Sequence, residues 1–272
     1  MPAAPDTIVL IHGLWVTPRS WEGWKARYEA QGYRVLTPTY PGFGEVEAMR
    51  ADDSAIAAAS VPDTVAHLAS VIETVDTPPI LMGHSFGGML TQLLLAKGLG
   101  AAGVAIDSAP PEGVRVTPPS QARSLFPALR NPANFHRAVG FTKAEWHYAF
   151  TNTLSREESD AVWERYAIAA PGNWVWAYGL LANWRPGRQE TWVDYSVDRA
   201  PLLFIAGEKD HIMPPAVNRA NAKRWGRSPA VTDLIELPGR DHWTCGAPGW
   251  EDVADRALAW ALESAGRSSL AA

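Results

Sequence analysis

The sequence predicts an α/β fold, with a doubly wound, mostly parallel sheet and an all-helical cap inserted into it. Short apolar runs bounded by glycine or proline recur along the 272-residue chain, and helical patterns lie between them. Runs that are apolar on both faces are typical of parallel strands covered by helices on both sides. The alternation stops over one central segment that holds only helix starts, which predicts an insertion rather than further sheet.

Six apolar runs are predicted to be the strands of this sheet. They cover residues 7–11, 33–36, 80–82, 103–106, 202–206 and 232–237. Apolar side chains recur at helical spacing between the strands, for example at Val65, Leu68 and Ile72. Strands that alternate with helices in this way predict parallel pairing, with helices on both faces of the sheet.

The central insertion is predicted to span residues 113–199 and to form a cap, with residues 1–112 and 200–272 as the core domain. Thr142 and Ser155 are each followed three positions later by a glutamate, which is the spacing of a capping box at a helix start. Six of the thirteen tryptophans lie in this segment, at positions 146, 163, 174, 176, 184 and 192. A helical insertion after a strand end is best placed over the sheet.

Composition and charge argue against several classes of function. The net charge is −5 and no run of lysine or arginine is present, so neither a nucleic-acid partner nor a membrane anchor is expected. No segment has about 18 uninterrupted apolar residues, the length that a membrane span needs. The single cysteine, Cys245, forms no intrachain disulfide, and the first residues lack a secretory signal pattern. A cytoplasmic location is expected, whereas the sequence does not indicate the oligomeric state.

The turn at residues 83–87 carries the strongest functional signal. A predicted strand enters it, a predicted helix leaves it, and its sequence is Gly-His-Ser-Phe-Gly. This pattern is typical of a nucleophile elbow, a sharp turn that holds a serine in a strained backbone conformation. Gly83 and Gly87 suit the turn because the backbones on its two sides nearly touch. Ser85 is therefore the predicted nucleophile, at a helix N-terminus that favours developing negative charge.

A base and an acid for Ser85 lie on loops that follow later strands. A serine hydroxyl becomes an effective nucleophile only when a base takes its proton. His242, after the last predicted strand, is the predicted base, because nucleophile, acid and histidine then follow in the order this arrangement uses. Asp210, after the fifth predicted strand, is the predicted acid that fixes the tautomer of His242. Glu208 and Asp107 are the alternative acids.

The loop after the first predicted strand is expected to help bind an oxyanion. A tetrahedral intermediate needs two backbone N–H donors. One is predicted to come from Phe86, the residue after the nucleophile. The other is predicted to come from Leu14, which follows the His-Gly pair at the end of an apolar strand. His12 is expected to brace this loop rather than to carry protons.

With these residues placed, the chain resembles the α/β-hydrolase superfamily over nearly its whole length. The matching motifs are Val-Leu-Ile-His-Gly at 9–13, Gly-His-Ser-Phe-Gly-Gly at 83–88, Gly-Glu-Lys-Asp at 207–210 and Gly-Arg-Asp-His-Trp at 239–243. The chain is most similar to the small capped serine esterases and their perhydrolase and lactonase relatives. A serine nucleophile argues against haloalkane dehalogenases and epoxide hydrolases. The resemblance also implies a sheet of fewer than the usual eight strands.

The residues and the resemblance together predict a serine hydrolase that cleaves a carboxylic ester or lactone of a hydrophobic small molecule through an acyl-enzyme. No metal or organic cofactor is expected. Trp15, Trp176 and Trp243 are candidates for the wall of an apolar pocket, although most tryptophans of the insertion are expected to pack its helices together. A thioesterase, a C–C bond hydrolase, a perhydrolase or a lyase would use the same triad. A ligand-binding receptor with little turnover is a further alternative.

Overall fold

The computed structural model describes residues 4–181 and 188–271, and a six-stranded parallel sheet forms its centre. The strands are β1 (Thr7–Ile11), β2 (Arg34–Leu36), β3 (Ile80–His84), β4 (Ala102–Ile106), β5 (Ala138–Val139), β6 (Ala170–Pro171), β7 (Leu202–Gly207) and β8 (Thr232–Leu237). The large sheet has the order β2-β1-β3-β4-β7-β8, and β5 and β6 pair separately as an antiparallel ribbon. The predicted doubly wound fold and its six strands are confirmed, with bounds that differ by one or two residues.

Helices connect the strands and cover the sheet. They are α1 (Glu22–Ala30), α2 (Val46–Ala51), α3 (Ser54–Ala57), α4 (Val61–Ile72), α5 (Phe86–Ala96), α6 (Pro119–Leu129), α7 (Lys143–Ala149), α8 (Arg156–Tyr166), α9 (Gly172–Trp174), α10 (Pro215–Trp225) and α11 (Trp250–Ala271). Two 3₁₀ helices lie at Pro18–Trp21 and Pro132–His136, and a π-helix at Val175–Leu181 continues α9. Within the described ranges, no helix is both long and apolar enough to cross a membrane.

The central strands of the sheet, β1, β3, β4 and β7, are buried on both faces because their alternate side chains meet different helices. In β1, Val9 and Ile11 belong to a core that includes α4, α5 and the insertion. Ile8 and Leu10 belong to a second core, which includes α1 and α11. This division explains why the strands read as continuous apolar runs rather than as alternating ones.

The segment between β4 and β7 is mainly helical, as predicted. The capping boxes at Thr142 and Ser155 are present, since each hydroxyl accepts a hydrogen bond from a backbone N–H three residues on and each glutamate accepts one in return. The pairing of β5 with β6 was not predicted, because strands of two residues are too short to produce a pattern. Residues 182–187, with the predicted cap residue Trp184, lie outside the described residues.

The parallel strands bring three loops to one edge of the sheet. Ser85 follows β3, Asp210 follows β7 and His242 follows β8. Parallel strands end at the same edge, and the order β3-β4-β7-β8 sets these loops in one row. Asp107 follows β4, which lies between β3 and β7 in the sheet. The fold therefore gathers residues that are more than 150 positions apart in sequence, such as Ser85 and His242.

Candidate active site

Ser85 occupies the sharp turn between β3 and α5. Its backbone has φ 57° and ψ −120°, a conformation that is rarely populated by residues with a side chain. Backbone hydrogen bonds hold the turn. The Ser85 N–H donates to the Ile106 carbonyl (2.8 Å), and the amides of Gly88 and Ala109 donate to the Ser85 carbonyl (3.0 and 2.9 Å). The end of β4 thus contributes directly to keeping the nucleophile candidate in its strained position.

Glycine is required where the elbow meets its surroundings. A Cβ at Gly83 would lie 2.1 Å from the Gly87 carbonyl oxygen, and a Cβ at Gly87 would lie 2.1 Å from the Ile11 carbonyl oxygen. Gly13, on the loop after β1, has the same constraint, because its Cβ would lie 2.9 Å from the Cβ of Ser85. The elbow and the loop after β1 therefore touch through their backbones.

A chain of short contacts joins Ser85, His242 and Asp210. His242 Nε2 lies 3.0 Å from Ser85 Oγ, and His242 Nδ1 lies 2.7 Å from Asp210 Oδ2. All three side chains are buried. The other oxygen of Asp210 accepts hydrogen bonds from the backbone N–H groups of Ile212 (2.7 Å) and Met213 (2.8 Å). The three residues that the sequence singled out are thus within hydrogen-bond distance of one another, in the order serine, histidine, aspartate.

Burial shifts the pKa values of His242 and Asp210. It lowers the pKa of His242 to about 3, because a desolvated imidazolium is unfavourable. Burial also raises the pKa of Asp210, while the two amide donors oppose that rise and favour the carboxylate. A neutral His242 that donates from Nδ1 to Asp210 leaves Nε2 free to accept the proton of Ser85. The arrangement is able to deprotonate a serine hydroxyl near neutral pH.

The alternative acids lie elsewhere. Glu208 is exposed, and its carboxylate accepts a hydrogen bond from the Gly239 amide (2.9 Å). Asp107 is fully buried, and its Oδ1 accepts a hydrogen bond from the Gly207 amide (2.6 Å). Burial, with the nearby charge of Asp210, raises the pKa of Asp107 well above its ordinary value. Of the three candidate acids, Asp210 is the one whose carboxylate bonds to His242.

His84, Asp107 and His242 form a buried group whose nitrogen and oxygen atoms lie within 4.8 Å of one another. Both histidines already have protein partners. His84 Nε2 lies 2.8 Å from the His242 carbonyl, and both ring nitrogens of His242 are engaged by Asp210 and Ser85. A cation at this position would have to displace those contacts, so the donor set fits the serine–histidine arrangement better than a metal.

A small cavity opens beside Ser85. None of the described side chains in its wall carries a formal charge. The wall consists of Leu14, Trp15, Ser85, Phe86, Ala109, Pro110, Leu125, Trp174, Val175, Tyr178 and Met213. Leu14 and Phe86, the predicted oxyanion donors, both belong to it. Within the described part of the chain, neither of their amides donates a hydrogen bond to a protein acceptor, so both remain available to a ligand.

Trp15 and Trp174 supply much of the aromatic wall. Trp15 was a predicted pocket residue; it has φ 64°, and its indole N–H donates to the Val139 carbonyl of the insertion (2.9 Å). Trp174 stacks on Phe86 with a centroid distance of 4.8 Å and an interplanar angle of 25°. Trp174 was not predicted, because residues two apart on a helix face different ways and the sequence does not say which one faces the cavity.

The structure does not place the other two predicted pocket tryptophans among the described residues of the cavity wall. The indole N–H of Trp176 donates to the Ala128 carbonyl at the end of α6 (3.2 Å), so the ring is committed to packing within the insertion. The ring of Trp243 packs against Tyr166 of α8 at 4.9 Å. Neither ring is part of the described cavity wall: the Trp176 indole bonds within the insertion, and the Trp243 ring packs against it.

The insertion is attached to both loops that flank the site. The Ile168 amide donates to the Trp15 carbonyl (2.9 Å) on the loop after β1. The buried carboxylate of Asp241, next to His242, accepts hydrogen bonds from the Thr153 amide (3.0 Å) and hydroxyl (2.6 Å). These contacts couple the position of the insertion to the positions of Leu14 and His242.

Comparison with known proteins agrees with this architecture. The sequence matches the Alpha/beta hydrolase family over residues 8–256, and no curated protein matches it. An extracellular alpha/beta-hydrolase from a Paenibacillus species is similar in structure (21% identity, 94% of this chain and 99% of that chain, TM-score 0.68). So are a pyrethroid hydrolase from Sphingobium faniae (19%, 94% and 97%, TM-score 0.65) and a monoacylglycerol lipase from Paleococcus ferrophilus (18%, 97% and 97%, TM-score 0.63). At these identities the likeness shows the fold.

Gly87→Ala is expected to destabilise the protein by about 1–3 kcal/mol or more, because the new Cβ must push the Ile11 carbonyl and the start of α5 apart. Thermal unfolding followed by circular dichroism measures the effect. Gly266→Ala is the matched control, since a Cβ there meets nothing within 4 Å. Equal melting temperatures for the two variants would contradict the close backbone contact at the elbow.

Proposed function

The chain belongs to the alpha/beta hydrolase family. We propose that it is a serine hydrolase that cleaves a carboxylic ester or lactone of a hydrophobic small molecule. The observation that carries the proposal is the contact chain from Asp210 through His242 to Ser85, which ends at an apolar cavity. Ser85 is the proposed nucleophile, His242 the base and Asp210 the acid. Residues 113–199 are the proposed cap, which supplies part of the cavity wall.

In the acylation step, His242 Nε2 takes the proton of Ser85 as Oγ attacks the carbonyl carbon of the substrate. The carbonyl oxygen becomes an oxyanion that accepts hydrogen bonds from the Leu14 and Phe86 amides. The bond between the carbonyl carbon and the leaving oxygen then breaks, and His242 returns its proton to that oxygen. An ester releases its alcohol at this step, whereas an opened lactone keeps its new hydroxyl on the acyl group. In both cases the acyl group remains on Ser85.

In the deacylation step, a water molecule takes the place of the alcohol. His242 removes a proton from the water as its oxygen attacks the acyl carbon, and the same two amides hold the second oxyanion. The bond to Ser85 Oγ breaks, His242 protonates Ser85, and the carboxylic acid leaves. Asp210 keeps the imidazole in one tautomer and stabilises the imidazolium that forms in both steps.

The lining of the cavity favours a neutral, apolar substrate. The described side chains of its wall carry no charge and give an ionised acyl group no partner, and burying a charge without a partner is costly. Trp15, Phe86 and Trp174 offer flat apolar faces. Among the similar structures, one is described as a monoacylglycerol lipase and one as a pyrethroid hydrolase, and both descriptions are compatible with a hydrophobic ester-type substrate.

A thioesterase, a C–C bond hydrolase, a perhydrolase or a lyase would use the same contact chain. A panel of aryl esters, lactones, thioesters and C–C substrates separates these reactions, and good turnover of a thioester or C–C substrate alone would remove the ester assignment. The same panel tests the alternative of a ligand-binding receptor, because a receptor would release little product from any of these substrates.

Ser85→Ala is expected to lower kcat/KM for p-nitrophenyl acetate by about 10⁴-fold or more, because removal of a triad nucleophile eliminates the covalent route. Asp210→Asn is expected to lower it by a comparable factor through loss of the correct His242 tautomer. Release of p-nitrophenol is the readout.

The matched controls are Ser70→Ala and Glu208→Gln. Both side chains are exposed, and neither lies in the described wall of the cavity. Each control is expected to retain wild-type kcat/KM. If Ser85→Ala retained activity as well, the proposed function would be wrong.

The acid limb of the pH profile is expected to lie well below the ordinary histidine value of 6.5. Activity requires neutral His242, and because burial lowers its pKa to about 3, the imidazole stays neutral in mildly acidic solution. The value of kcat/KM at about pH 5.5 should therefore exceed half of the value at about pH 7.5. p-Nitrophenol is followed at its isosbestic wavelength, with melting temperatures recorded at each pH. A half-maximal point near 6.5 in folded protein would contradict the expectation.

A further inference from the structure

A second apolar space lies next to the catalytic cavity. It is an open groove between α4, the C-terminal half of α5 and residues 190–197. The side chains at its base are buried and apolar, as at Val65, Leu93 and Val193. Lys97, Glu190 and Asp194 also line it, and all three are exposed. The groove therefore combines an apolar base with a charged rim, which suits a hydrocarbon chain.

Tyr178 belongs to the wall of the catalytic cavity, and its hydroxyl donates a hydrogen bond to the carboxylate of Glu190. Glu190 lines the groove. This pair of side chains thus reaches from one space to the other. Burial and the contact with Glu190 raise the pKa of the Tyr178 hydroxyl, so it remains a donor at physiological pH.

Helix α5 runs along both spaces. Phe86, in its first turn, lines the catalytic cavity, and Leu93, two turns later, lines the groove. Seven helical residues correspond to about 10 Å, roughly the length of an eight-carbon chain. The ring of Tyr178 lies 6.4 Å from the ring of Phe86. The phenol ring therefore lies near Phe86 in the cavity wall, and its hydroxyl contacts a residue of the groove.

We propose that the Tyr178 ring separates the catalytic cavity from the groove and thereby determines the chain length of the substrate. The wild-type protein then takes esters with a short acyl group, and removal of the ring joins the two spaces and admits a long, unbranched acyl chain. This inference rests on the proposed ester hydrolysis at Ser85.

The test compares p-nitrophenyl acetate, butanoate, octanoate and dodecanoate as substrates. In the wild type, kcat/KM is expected to fall steeply between butanoate and octanoate. Tyr178→Ala should raise the octanoate-to-acetate ratio of kcat/KM by about tenfold or more, since accommodating even one methylene changes this quantity by about tenfold. Tyr178→Phe keeps the ring and is expected to keep the wild-type ratio. Phe126→Ala, at an exposed aromatic of α6 outside both spaces, is the control for the insertion.

A second measurement does not depend on turnover. In the Ser85→Ala background, binding of 2-pentanone and 2-undecanone is measured by calorimetry with and without Tyr178→Ala. The added substitution should tighten 2-undecanone binding by about tenfold while leaving 2-pentanone unchanged. Melting temperatures establish that each variant is folded.

The outcomes separate the two proposals. A shift in ketone binding without hydrolysis of any ester would support the role of Tyr178 and remove the proposed function. Ester hydrolysis with the same chain-length profile in the wild type and Tyr178→Ala would overturn the role of Tyr178 and leave the proposed function intact. The role of Tyr178 would also be overturned if Tyr178→Phe, which retains the ring, raised the octanoate-to-acetate ratio of kcat/KM as much as Tyr178→Ala does.

Discussion

The backbone of the Ser85 turn lies against the backbone at the end of β1, and this contact constrains the geometry of the whole site. Gly87 has no room for a Cβ beside the Ile11 carbonyl, and Gly13 has none beside Ser85. The nucleophile candidate and the loop that carries Leu14 are therefore assembled as one rigid unit. The strained dihedrals of Ser85 persist because β4, the loop after it and α5 all hold them through hydrogen bonds.

Burial also sets the electrostatics of the site. His242 is fully enclosed, so its imidazolium is costly and its neutral form is stabilised. Such a base accepts a proton only when a nearby carboxylate compensates the new charge, and Asp210 is held in place for that purpose by two backbone amides. The hydrogen bonds from Thr153 to Asp241 join the insertion to the same loop, so the insertion that shapes the cavity is also coupled to the base.

The strands and the residues at their ends could be predicted because each depends on a local rule. Apolar runs bounded by glycine mark strands, and the Gly-x-Ser-x-Gly turn needs its glycines for steric reasons that the structure confirms at Gly83 and Gly87. The cavity wall could not be predicted in the same way. Trp174 and Trp176 are chemically alike, and only their tertiary contacts distinguish them: the Trp174 indole donates to Ala59 and its ring lines the cavity, whereas the Trp176 indole donates to Ala128. The cytoplasmic location stays a prediction, since nothing in the fold depends on it.

The central claim is that an acyl group is transferred to Ser85, and the most direct test is to isolate that intermediate. The protein is mixed with excess p-nitrophenyl acetate, quenched in acid within the first turnovers, digested and analysed by tandem mass spectrometry. We expect one acetyl group on the peptide that contains Ser85, localised to that residue and absent after Ser85→Ala. Release of p-nitrophenol with the acetyl group on another residue, or with none on the protein at any quench time, would contradict it.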